Sequence, residues 1–81
     1  MTEERRKELT KILGRFIEDA RISVRKERED ALRAIDAQLK SKEISEDARF
    51  RGPNDIQKVV DEINKKIEDI GLAKEKEIMM V

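Results

Sequence analysis

The chain has 81 residues, with 19 Lys+Arg balancing 19 Asp+Glu, so it carries no formal net charge. Charged residues make up 47% and apolar residues 37%, and Cys, His, Trp and Tyr are absent. This bounds the chain to one small domain and excludes disulfides, zinc fingers, thiolate nucleophiles and histidine bases.

No apolar run approaches the ~20 residues of a membrane span, and no signal-peptide pattern opens the chain, so no membrane partner is expected. The lack of cysteine fits a reducing compartment. With zero net charge, any electrostatic binding must come from local segregation of charge. Abundant Glu, Lys, Arg, Ala, Leu and Ile is the profile of long helices. A chain this short buries only about 60% of its unfolded surface, so an isolated copy has little core to draw on.

The first 42 residues hold no Pro and one Gly, Gly14. Leu9, Leu13, Phe16, Ala20, Val24, Ala31 and Ile35 step by three, four or seven, a helical stripe rather than the alternation of a strand. Thr2, followed by Glu3 and Glu4, predicts an N-cap with carboxylates at the positive end of the helix dipole. Gly14 costs about 1 kcal/mol relative to Ala and predicts a bend or fraying there. Glu27 falls between Val24 and Ala31 on the stripe, where a carboxylate must be paired, protonated or able to reach outward.

Lys40-Ser41-Lys42-Glu43-Ile44-Ser45-Glu46-Asp47 reads as the turn segment, with lysines ending the first helix, Ser45 capping a second, and Glu46 and Asp47 in its first turn. Gly52-Pro53 then predicts a kink or restart, because Pro inside a helix removes a hydrogen bond and clashes with the carbonyl of Arg49. Beyond it Ile56, Val60, Ile63, Ile67 and Ile70 repeat at four-three-four-three, a coiled-coil seam that Gly71 weakens. Asp61–Lys65 and Glu62–Lys66 are spaced as i,i+4 ion pairs.

The reading is all-α: an antiparallel helical hairpin of two long amphipathic helices, about 2–42 and about 46–79, with a turn at about 43–45 and a break near 52–53. Both seams are richer than one partner helix requires. The hairpin is thus expected to be part of a bundle whose remaining helix is supplied elsewhere, and to self-associate.

Chemistry points to binding rather than catalysis. Arg21, Arg25 and Arg28, at i, i+4 and i+7, share one helical face, and Arg5, Arg6, Lys7 and Lys11 cluster at the start of the same helix. Guanidinium forks suit phosphate oxygens, so such a stripe can follow a nucleic-acid backbone. Pattern alone favours a solvated face paired with carboxylates such as Glu18 and Glu29, since surface charge networks are common on helices. The carboxylate pairs Glu3-Glu4, Glu29-Asp30 and Asp61-Glu62 have no pKa-shifting pocket in two helices, and no phosphate loop or calcium loop is present. No enzyme activity, cofactor or metal site is expected.

Five blocks carry a family resemblance. They are Thr2-Glu3-Glu4-Arg5-Arg6-Lys7-Glu8-Leu9, Ala20-Arg21-Ile22-Ser23-Val24-Arg25 with Arg28, Lys42-Glu43-Ile44-Ser45-Glu46-Asp47, Ile56-Gln57-Lys58, and Lys74-Glu75-Lys76-Glu77-Ile78-Met79. In this order and spacing the chain resembles the ribosome recycling factor family over nearly its whole length. The resemblance implies the second and third helices of a three-helix bundle domain, without the first helix and the inserted β/α domain. It implies a translation factor that, with elongation factor G, splits post-termination ribosomes in a bacterial-type cytoplasm or in an organelle. It also implies that the bundle domain docks on large-subunit rRNA, with Arg6, Arg25 and Arg28 at the RNA-contacting positions. Relatives carry an aliphatic residue where Glu27 stands, a basic one where Glu29 stands, and a continuing helix across Gly52-Pro53. The alternative from the residues alone is a structural coiled-coil or dimerisation module without RNA affinity.

Overall fold

The computed structural model describes residues 2–80. These form two helices, Glu3–Lys40 (α1) and Glu46–Met80 (α2), and no strand. Ile35 of α1 lies against Gly52 of α2, and Ile17 against Gly71, so the helices run antiparallel as a hairpin. The hairpin measures 60 × 15 × 10 Å. Its radius of gyration is 18.4 Å, against about 12 Å for a compact chain of this length.

Side-chain caps fix the ends. The Arg5 N–H donates to Thr2 Oγ1 at 3.1 Å, and the Ala48 N–H donates to Ser45 Oγ at 3.3 Å. At the end of α1 the Glu43 N–H reaches the Gln38 carbonyl at 2.8 Å and the Lys42 N–H reaches the Leu39 carbonyl at 3.1 Å. With Lys42 at φ 61°, this is a Schellman closure in which a lysine occupies the left-handed position usually given to glycine. Helix α1 runs through Gly14 without interruption.

The line of contact is set by partly buried residues: Leu9, Leu13, Ile17, Ala20, Val24, Ala31, Ile35 and Leu39 on α1, and Ile56, Val60, Asn64, Ile67 and Gly71 on α2. Among the described residues no apolar side chain is fully buried, and Gly71 is the one buried residue. A Cβ on Gly71 would lie 2.6 Å from Ile17 Cδ1, so its missing side chain is what lets the helices approach there.

Several expectations change on this seam. Phe16 is 69% exposed and Ile17 takes its place. Ile63 and Ile70 are 38% and 61% exposed, and Asn64 and Gly71 stand in the seam instead. Glu27 is exposed, with the partly buried Arg28 between Val24 and Ala31. The break near 52–53 is replaced by a continuous α2 that contains Pro53. Gly52 is pressed onto α1 beside Pro53, where a Cβ would meet Ile35 Cδ1 at 2.8 Å. Ala48, Gly52, Pro53 and Ile56 are all partly buried on both sides of the lost hydrogen bond.

Lys65 pairs with Asp69 at 3.0 Å rather than with Asp61, and Asp61 accepts from Gln57 at 2.8 Å. No Glu62–Lys66 pair forms among the described residues. The hydrogen bond to Asp69, with the Asp69 and Glu68 charges, raises Lys65 above its ordinary pKa. Every ion pair given by the described residues lies within one helix. The seam between the helices is lined mainly by apolar side chains, and each Å² they remove from water contributes roughly 25 cal/mol.

Candidate nucleic-acid interface

A helix advances about 100° per residue, so the residues flanking Val24 on α1 divide between two sides of the hairpin. Ser23 and Glu27 fall on one flank, and Arg21, Arg25 and Arg28 on the other. The first flank borders an open apolar groove of about 480 Å³, lined by Val24, Ala31, Ile56, Val59, Val60 and Ile63 and edged by Ser23, Glu27, Arg28 and Asp55. The second borders a polar groove of about 170 Å³, lined by Arg21, Arg25, Arg28, Gln57 and Asn64 over Val24 and Val60.

This arrangement separates two jobs. The apolar groove is a flank of the hairpin that neither helix covers. The polar groove gathers three guanidinium groups from α1 with two amides from α2. Arg28 sits 3.7 Å from Glu29 and keeps 38% of its side chain exposed. Arg21 and Arg25 make no ion pair among the described residues, whereas Arg5, Arg33, Arg49 and Arg51 each hold a carboxylate within one turn. Arg25 is exposed and Arg21 partly buried. Of the two carboxylates that the solvated-face reading assigned to this stripe, Glu29 pairs with Arg28, and Glu18 makes no ion pair among the described residues.

Arg6 stands apart. It lies 19 residues before Arg25, about 28 Å along α1 at 1.5 Å per residue. It is partly buried, with Glu3 at 4.0 Å, and lines a small groove with Lys7, Thr10, Lys11 and Met79. The structure thus brings Arg25 and Arg28 together near the middle of α1 and leaves Arg6 near its start. Gln57 and Asn64 are the groove residues that the basic stripe alone did not reveal. The signal for Asn64 was present: an amide interrupts the four-residue spacing of Ile56 and Val60 just before Ile67.

Among the described residues no group of three His, Cys, Asp or Glu side chains could hold a metal ion, and no helix is long and apolar enough to cross a membrane.

Comparison with known proteins adds the family. The ribosome recycling factor pattern matches residues 1–79. The chain is 48% identical over 79 residues to the ribosome-recycling factor of Novosphingobium aromaticivorans, covering 98% of this chain and 43% of that protein. It is 46% identical over 81 residues to that of Xylella fastidiosa strain 9a5c, covering 100% of this chain and 44% of that protein. The Desulfatibacillum aliphaticivorans protein of the same name is 43% identical over 79 residues, again 98% of this chain and 43% of the relative. The chain therefore spans less than half the length of these relatives. No solved structure matches it significantly. With the family pattern matched from residue 1 to residue 79, on a helical hairpin that keeps one apolar and one arginine-lined flank, the chain belongs to the ribosome recycling factor family.

Proposed function

We propose that this hairpin is the rRNA-binding helical part of a ribosome recycling factor, a translation factor and not an enzyme, which acts with elongation factor G to split post-termination ribosomes. Its setting is a bacterial-type cytoplasm or an organelle. Arg25 and Arg28 hold phosphate oxygens of large-subunit rRNA, and Arg6 assists from the far end of α1. The observation that supports this best is the Arg25 guanidinium: exposed, without an ion pair among the described residues, and beside Arg28 on the flank opposite the apolar groove. A fork free of internal carboxylates can take two phosphate oxygens at once.

The test is titration of the labelled chain onto purified large ribosomal subunits at several salt concentrations. Binding should weaken steeply with salt as counterions are recaptured. Arg25→Ala and Arg28→Ala should each reduce the salt slope by about one unit, and Arg6→Ala by less. Arg49→Ala, which removes a residue already paired with Glu46, should behave like the parent. If all four variants bind like the parent, or if salt has no effect, the reading fails and a purely structural module remains.

The open apolar groove supports a second partner for the hairpin as it stands, namely another copy of itself. Sedimentation equilibrium showing a cooperatively folded monomer at high concentration would remove that reading.

A further inference from the structure

Two residues outside the proposed contact set share the groove with Arg25 and Arg28. Arg21 lines it from α1 and Asn64 from α2. Arg21 is partly buried and makes no ion pair among the described residues. A cation drawn partly out of water without an anion beside it is a standing site for one. Asn64 occupies a seam position between Val60 and Ile67, where an aliphatic side chain would add apolar contact. Its amide makes no hydrogen bond among the described residues. The amide lines an open polar groove, where a ligand's polar groups can reach it. Gln57 differs, since its amide already donates to Asp61 at 2.8 Å, so it frames the groove without offering the same free donors.

Resting on the RNA-binding reading above, we propose that the site is a two-helix clamp on an RNA backbone, in which Arg21 holds a further phosphate and Asn64 hydrogen-bonds the adjoining sugar. The three arginines span seven residues, about 10 Å of helix, so they address successive points along one strand rather than a single phosphate. Asn64 stands across the groove from them. It supplies both a donor and an acceptor, which matches the 2′-hydroxyl, itself donor and acceptor and the group that marks RNA. The clamp thus combines a charged wall that sets affinity with a neutral wall that recognises the sugar.

The two walls answer differently to salt. Arg21→Ala should weaken binding to purified large subunits and lower the salt slope by about one unit. Arg21→Lys should restore the slope but not the whole affinity, because an ammonium lacks the two-oxygen fork. Asn64→Ile should weaken binding by about 2- to 12-fold with the slope unchanged, since a neutral amide releases no counterion. The same substitution extends the aliphatic seam, so it should keep or raise the melting temperature, separating lost binding from lost folding. If Arg21→Ala and Asn64→Ile bind like the parent while Arg25→Ala does not, the site is a stripe on α1 alone and the clamp is wrong. If the parent itself shows no salt-dependent binding, the clamp falls together with the RNA-binding reading.

Discussion

Pro53 is the place where local backbone preference and tertiary packing oppose each other most directly, and replacing it with alanine measures the opposition. In a helix interior Pro costs about 3 kcal/mol, through a missing donor and a ring set against the carbonyl four residues back, here that of Arg49. Two effects reduce what Pro53→Ala recovers. Alanine frees the unfolded chain, which returns about 0.4–1 kcal/mol to the unfolded side. Only residues 46–52 precede Pro53 in α2, so the strain cannot exceed what it would cost to release that short segment from Ile35. We expect a net stabilisation of about 1–2 kcal/mol, or roughly 5–15 °C for a chain of this size. Thermal unfolding followed by circular dichroism at fixed protein concentration reads this directly. Amide exchange gives the local view: in the parent, residues 47–52 should exchange faster than residues 56–70, and the substitution should narrow the gap. An unchanged melting temperature with equally slow exchange in both stretches of the parent would refute the reasoning.

Lys42→Gly should stabilise the hairpin by about 0.5–1 kcal/mol in the same melts, because the left-handed φ of 61° is strained for lysine and free for glycine. Gly14→Ala should add about 1 kcal/mol, since nothing lies within 4 Å of a Cβ there and the gain is helix propensity alone. The same change at Gly71 should gain less or destabilise, as its Cβ meets Ile17 Cδ1 at 2.6 Å. Glu27→Ile should leave the RNA-facing flank intact and tighten self-association by about tenfold in sedimentation equilibrium, as it adds one aliphatic side chain to the groove lining. An unaltered monomer–dimer balance would show that copies do not meet through that groove.

The helices, their caps and the hairpin were legible because each rests on local chemistry: a 3.6-residue stripe, Thr2 and Ser45 as acceptors, lysines at the close of α1. The phase of the seam was not. At Phe16/Ile17, Ile63/Asn64 and Ile70/Gly71, two neighbouring residues compete for one inward position. Hydropathy favours the larger or more apolar member, which on α2 means Ile63 and Ile70. The structure instead places Asn64 and Gly71 inward, because small groups let the two backbones approach, and it leaves Ile63 to line the open groove and Ile70 exposed. The same slip by one residue put Glu27 on the stripe in place of Arg28. The candidate site follows the same logic. The arginine stripe is a property of one helix and can be seen in its spacing, whereas the contribution of α2 depends on which residue of each competing pair turns inward.

Val24, Arg28 and Val60 line both grooves. The hairpin is therefore a partition one side chain thick, with a hydrophobic chamber on one side and a hydrated one on the other. Whatever fills the dry side and whatever fills the wet side would touch the same two valines, which have few rotamers to choose from, and one arginine that belongs to both. Truncating either valine would hollow the partition and disturb both chambers at once, whereas Arg25 and Val59 each touch one chamber alone. Two surfaces that look independent on the helical wheel are mechanically a single wall.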